Sequence, residues 1–242
     1  MAVAAGLVGS FALMRRMSLA ADAMSHVALP GIGIALILHV SPLAGGLTML
    51  LIGALLIFLI ERRTRIATET VVGVLFSVAL AVGSLLASGE DLIEALLGGA
   101  GSLSAAEAGA GIAAAAAVIA FVLRARHSLI VSLVSPEIAL TSGIRVARLD
   151  LYFLLAFALT VGLGLRYLGV LLMGSLIIIP ATTAKYLARS LDGMLATAVA
   201  LAVVSALLGF LLAPLLRVQT GALIISIAAG VFFVSLLKRS VD

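Results

Sequence analysis

An aspartate and a histidine stand four residues apart in an otherwise apolar stretch, ADAMSHVALPG at positions 21–31, and a proline follows on the same spacing. On an α-helix, positions i and i+4 lie one above the other, so Asp22, His26 and Pro30 form one stripe with Ser25 on its flank. A carboxylate oxygen and a neutral imidazole nitrogen together suit borderline divalent cations such as zinc, manganese or iron(II). Pro30 has no N–H, which leaves the carbonyl of His26 without its intrahelical partner and open on the same stripe. Two side chains do not close a coordination sphere, whereas a structural zinc site takes four protein ligands. The pair therefore suits an ion that is held briefly and released. The same spacing allows a plainer reading, in which Asp22 and His26 pair with each other or cap a helix end.

Three more residues are candidates for a cation path. His39 precedes Ser41-Pro42 at the far end of the same segment, where it would meet an arriving cation or simply be solvated. Glu69 opens the next span but one and either extends the path or serves as an acidic residue at the positive end of a helix. Pro180, in LIIIPATTAKYLARS, frees the carbonyl of Leu176 and makes a second proline break, with Thr182 and Thr183 at hand for stray polar groups. It lines a pathway or kinks a helix for packing. His127 sits among basic residues, where a structural role is the better reading.

The elements that carry these residues belong in lipid. Of 242 residues, 64% are hydrophobic and 11% charged, where soluble domains carry roughly 25% charged residues. Apolar runs of spanning length recur at 42–60, 70–88, 105–123, 149–165, 167–184, 193–213 and 220–237, preceded by less regular stretches at 17–40 and 1–14. At ~1.5 Å per residue the stretch 1–14 is too short to cross alone, and without a basic lead it is a poor signal peptide. The chain is expected to start partway through its first span. The expected fold class is all-α: a polytopic integral membrane helix bundle of about 8–9 transmembrane helices with the first truncated, forming a single transmembrane domain over residues 1–242. Cysteine is absent, which removes disulfides and thiolate ligands.

If the segments alternate in direction, thirteen of the fifteen basic residues fall on one side, and only Arg166 and Arg217 on the other. That asymmetry places the arginine-rich side, the loop 124–148 and the C-terminus in the cytoplasm. The formal charge of +4 is this topology signal, and no contiguous basic face invites nucleic acid. On the opposite side, Glu90, Asp91, Glu94 and Glu107 cluster in one connection, and SGEDLIEALLGG within it has the pattern of a short amphipathic helix. It either rests on the bilayer or serves as an external gate or docking surface.

SPEIALTSGIRVARLD, 135–150, is the longest polar insertion on the arginine-rich side. Ser135 suits an N-cap, Pro136 the first helical position, Glu137 the positive dipole end and Gly143 the stop. So short a helix is unstable unaided, and it must pack on the protein's own helix ends or on a second protein. No zinc-protease motif, phosphate-binding loop or nucleophile elbow occurs. The chain is expected to be no enzyme, and ATP-driven transport would need its ATPase on another polypeptide.

The segment GSFALMRRMSLAADAMSHVALPGIGIAL resembles the signature of the permease subunits of metal-ion ABC importers for zinc, manganese or iron(II). In that family a G-S-F-x-x-x-R-R stretch leads into D-A-x-S-H-x-x-L-P-G. The likeness continues through TETVVGVLFSVALAVG, SPEIALTSGI, GVLLMGSLIIIPATTAKYLARS and TGALIISIAAGVFF, in order along nearly the whole chain. The resemblance implies a multi-pass permease of a prokaryotic inner membrane that pairs with a second copy as a homodimer. It implies an ion taken from an extracytoplasmic metal-binding protein, a cytoplasmic ATP-binding subunit dimer as the motor, and no permanently bound cofactor. It places the metal-pathway ligands at Asp22 and His26, and the helix that couples to the ATPase at Pro136, Glu137, Ala139 and Gly143. A self-contained ion-coupled cation carrier and a membrane assembly factor are the other readings the residues allow.

Overall fold

The structure, a computed structural model, describes residues 1–64, 66–86, 105–168 and 170–239. Among them the chain forms ten helices and no strand: α1 (Ala2–Met14), α2 (Ala20–Ile37), α3 (Pro42–Thr64), α4 (Thr68–Leu86), α5 (Ala105–Val134), α6 (Pro136–Thr141), α7 (Val146–Leu168), α8 (Val170–Leu187), α9 (Leu191–Leu216) and α10 (Thr220–Arg239). The amphipathic segment expected around Glu90, Asp91 and Glu94 lies outside the described residues.

Seven of these helices are long and apolar enough to cross a membrane, α2, α3, α4, α5, α7, α9 and α10. The chain is a polytopic membrane helix bundle. Helix α1, with 13 residues, is a shorter apolar helix, and α8, with 18 residues, packs among the others. The first two helices are the most enclosed. In α1 every residue from Ala4 to Ala12 is buried, and α1 packs against α9, α8, α5 and α7. Helix α2 is surrounded by α3, α4, α8 and α7. By contrast α9 and α10 turn Leu207, Leu211, Leu215, Phe233 and Val234 outward. Such a face is one that lipid or a partner helix covers.

The hydroxyls of this interior bond within their own helices, as a medium without water requires. Ser10 donates to the carbonyl of Gly6 at 2.8 Å, Ser25 to Ala21 at 2.9 Å and Thr160 to Ala156 at 2.7 Å. Thr182 and Thr183 donate to Ile178 and Ile179 at 2.9 and 2.8 Å. Neither threonine reaches Leu176, whose carbonyl Pro180 frees, and α8 continues through Pro180 as one helix.

Helix α5 corrects one boundary. Its apolar run stops at Leu123, but Arg124, Arg126 and His127, expected in a loop, continue the helix to Val134 with their side chains exposed. Arginine is a good helix former, and an outward-facing charge ends a hydrophobic run without ending a helix. With 30 residues, α5 is ~45 Å long, well beyond the ~30 Å of hydrocarbon.

Candidate metal pathway and docking helix

The α1–α2 connection begins with a tight turn. Arg15 N–H donates to Phe11 at 2.9 Å, Arg16 N–H to Leu13 at 3.1 Å and Met17 N–H to Ala12 at 2.9 Å, while Arg16 takes the left-handed φ of 59°. Helix α2 then starts at Ala20, with Asp22 in its first turn, and runs unbroken through Pro30 to Ile37. Asp22, His26 and Pro30 thus share one face as the spacing predicts. The face grades from exposed at Asp22 through half-buried at His26 to buried at Pro30. Ser25 beside it is buried, and its hydroxyl proton is committed to Ala21.

Two neighbours bound this face. From α4, the ring of Phe76 meets the imidazole of His26 edge-on, with centroids 5.2 Å apart and planes at 75°. The helices run parallel in register, since Gly83, further along α4, lies against Leu29 and Pro30. From α8, Gly174 faces the backbone of Asp22, and a Cβ there would lie 2.8 Å from the Asp22 Cα and 2.9 Å from its nitrogen. Only a residue without a side chain permits that approach. Phe76 and Gly174 escaped the sequence reading, since each acts through a tertiary contact that no local pattern announces.

No hydrogen bond or salt bridge joins Asp22 to His26 among the described residues, and Asp22 stands in the first turn of α2, where an acidic residue meets the positive end of the helix. The Nδ1 of His26 is buried without a hydrogen-bond partner, a costly state for an imidazole unless something else occupies the nitrogen. No third His, Cys, Asp or Glu gathers with these two among the described residues. One carboxylate, one imidazole and a proline-freed carbonyl are what the chain itself presents.

The remaining candidates lie apart from this face. Glu69 opens α4 and lines a cleft of about 550 Å³ together with Arg15, Arg16, Glu61, Ile66, Ala67 and Thr68, and Thr68 donates to Glu61 at 2.8 Å. This cleft adjoins the start of α2. His39 lies at the other end of α2, exposed and at a left-handed φ of 52°. Pro180 is buried in α8, beyond Gly174 on the same helix.

Helix α6 forms where the capping residues require it. Ser135 is extended (φ −151°, ψ 103°) and its Oγ accepts from Ile138 N–H at 3.3 Å, with Pro136 at the first position. At the other end Gly143 N–H donates to Leu140 at 3.1 Å and Ile144 N–H to Ala139 at 2.9 Å, with Gly143 at φ 76°. That pair of bonds is a Schellman close, which calls for glycine at the left-handed position. Ala139 is fully buried on the bundle side, against which α5 and α7 pack. Ile138 and Leu140 are 58% and 63% exposed, and Glu137 is exposed beside them.

One partly buried ion pair joins the α1–α2 connection to α7. Arg15 Nη1 donates to Asp150 Oδ1 at 2.8 Å, and its guanidinium carbon lies 4.5 Å from the centroid of the Phe153 ring. A second pair, Arg126–Asp192 at 3.3 Å, is exposed and contributes little.

Residues 1–239 match the ABC 3 transport family. The manganese transport system membrane protein MntC of Listeria monocytogenes is 30% identical over 239 residues, covering 97% of this chain and 85% of the relative. The high-affinity zinc uptake system membrane protein ZnuB of Haemophilus influenzae is 28% identical over 240 residues, covering 96% of this chain and 91% of the relative. Among solved structures, PsaBC from Streptococcus pneumoniae in complex with Fab aligns with a TM-score of 0.82 at 26% identity, over 97% of this chain and 86% of that one.

Proposed function

Because the chain belongs to the ABC 3 transport family, as a membrane permease subunit of an ABC importer, we propose that it carries a divalent transition-metal ion into the cytoplasm along a path on which Asp22 and His26 are ligands. The ion is manganese, zinc or iron(II). Relatives named for manganese and for zinc match equally well in extent, and an oxygen–nitrogen donor pair serves each of these ions.

The observation that carries this reading is the buried, unpartnered Nδ1 of His26 on the helix face that holds Asp22. A carboxylate inside a membrane costs ~2.5–3.5 kcal/mol even on the lenient insertion scale, and a lone buried imidazole nitrogen adds to that cost. Both costs are offset when a cation binds between them. The donor set is small, so water or a second protein chain completes the shell, and a half-built shell favours release. The exposure of Asp22 in a single chain supports a second copy closing the path from the other side.

The arginine-rich ends, among them Arg62 and Arg63 at the close of α3, face the cytoplasm, and the C-terminus lies on that side. Helix α6 lies there too, and its exposed Ile138 and Leu140 beside Glu137 suit a groove on a cytoplasmic ATP-binding subunit. Residues Pro136, Glu137, Ala139 and Gly143 form that coupling element, and Ala139 seats it on the bundle. The opposite face receives the ion from an extracytoplasmic metal-binding protein, with His39 at that end of α2. Energy from a separate ATPase leaves no role for Asp22 as the proton or sodium site of a self-contained carrier.

The deciding experiment reconstitutes the permease with its ATP-binding subunit and binding protein in liposomes and follows uptake of radioactive manganese, zinc and iron(II). ATP-dependent accumulation of at least one ion, lost in Asp22→Ala and His26→Ala, is the expected result. Uptake at the parent rate in both variants rejects the ligand assignment.

A further inference from the structure

We propose that Arg15 is a positioning residue for transport: its ion pair with Asp150 makes the α1–α2 connection, and with it Asp22, move as one body with α7, so that displacement of the α6 segment reaches the metal pair. The inference rests on the roles proposed above for Asp22, His26 and α6.

The contacts around Arg15 are those of a joint. Its side chain is only 13% exposed, with Nη1 2.8 Å from Asp150 Oδ1 and the guanidinium plane carbon 4.5 Å from the Phe153 centroid. Nε is buried without an acceptor, so the carboxylate and the ring are what hold the group. An arginine makes both contacts at once through its planar fork, and a lysine at the same place would not. Asp150 is 36% exposed and Arg15 is the enclosed partner, so removing the carboxylate leaves the guanidinium charge uncompensated in a poorly solvated place.

Each side of the joint leads directly to one functional element. Asp150 stands near the start of α7, and the path back to α6 is short and stiff: Leu149 N–H donates to Arg145 at 3.1 Å, Val146 N–H to Ile144 at 2.9 Å, and the Schellman bonds close α6 itself. Ala139 is locked into the bundle on the same segment. On the other side, Arg15 enters the turn at Arg16, Ala20 N–H donates to Met17 at 3.1 Å, and Asp22 sits in the helical turn that follows.

The complete complex of permease, ATP-binding subunit and binding protein in liposomes tests this, with ATP hydrolysis and metal uptake measured on the same sample. Arg15→Lys and Asp150→Asn are expected to hydrolyse ATP near the parent rate while metal moved per ATP falls about tenfold, corresponding to ~1.4 kcal/mol of lost coupling, and the double variant to fall no further than either single one. Phe153→Leu, which keeps an apolar side chain, is expected to lose several-fold. Parent metal-to-ATP ratios in the single variants, or a double-variant loss equal to the product of the two, overturns the proposal. Because the chain has no cysteine, spin labels at Leu19→Cys and Arg148→Cys read the joint directly. Their separation is expected to be the same with and without ATP in the parent and to change with ATP in Arg15→Lys; an ATP-dependent separation in the parent also overturns it. An inactive Asp22→Ala beside coupled, parent-like Arg15→Lys refutes this inference alone, and a parent complex that moves no metal refutes the proposed function with it.

Discussion

Gly174 on α8 presses so closely on the first turn of α2 that a Cβ placed on it would lie 2.8 Å from the Cα of Asp22. Backbone meets backbone there, so a bulkier residue cannot be absorbed by a side-chain rotation. Gly174→Val is therefore expected to push α2 outward and destabilise the bundle by ~1–3 kcal/mol, with metal uptake falling more than stability does, since Asp22 moves with the backbone. Gly174→Ala should show the same ordering on a smaller scale. Thermal unfolding in detergent and uptake in liposomes check it; an unfolding midpoint and uptake both at parent values for Gly174→Val would show that the gap is larger than described.

Asp22→Ala and His26→Ala are expected to abolish uptake while leaving membrane insertion and expression intact, because Asp22 is exposed and His26 half-buried in the single chain. Insertion measured by protease accessibility separates the two effects. Loss of inserted protein in both variants would mean that the residues serve folding.

Phe76 is expected to orient the imidazole it meets edge-on. An edge-on aromatic pair is worth ~0.5–1.5 kcal/mol, so Phe76→Leu, which keeps the site apolar, should weaken metal binding by about 2–10-fold and leave maximal uptake nearly unchanged. Concentration dependence of uptake distinguishes the outcomes: a reduced maximal rate at unchanged half-saturation contradicts an orienting role.

In α6, Ser135→Ala removes the side-chain acceptor for Ile138 N–H and is expected to cost ~1 kcal/mol of local helix stability. Gly143→Val strains the left-handed closing position. Both should weaken association with the ATP-binding subunit without touching metal binding. Glu137→Arg is expected to uncouple ATP hydrolysis from transport. Copurification of the ATPase and uptake per ATP measure these effects; unchanged copurification and coupling in all three variants removes the docking role.

Features built from near neighbours along the chain were legible in advance. The Ser135-to-Gly143 helix follows from a cap, a first-turn proline and a left-handed stop, each acting over three or four residues. The Asp22–His26–Pro30 face follows from helical periodicity alone. Charge misled the reading at Arg124, where the apolar run ended and the helix did not. Contacts that join distant segments left no local mark: the paired arginines at 15 and 16 carried a topology signal, and nothing in their spacing announced Asp150 or Phe153. Gly174 and Phe76 were equally silent, being defined by what faces them across an interhelical contact.

Helix α5 is longer than the layer it crosses, and that excess has a physiological reading. A rod of ~45 Å that tilts by about 5° swings its tip by ~4 Å, and membranes of different thickness impose different tilts on the helices they hold. Since α6 follows directly at the tip of that rod, the thickness of the surrounding lipid becomes a mechanical offset on where the short helix is presented, and fatty-acyl chain length becomes a variable that sets its height above the bilayer.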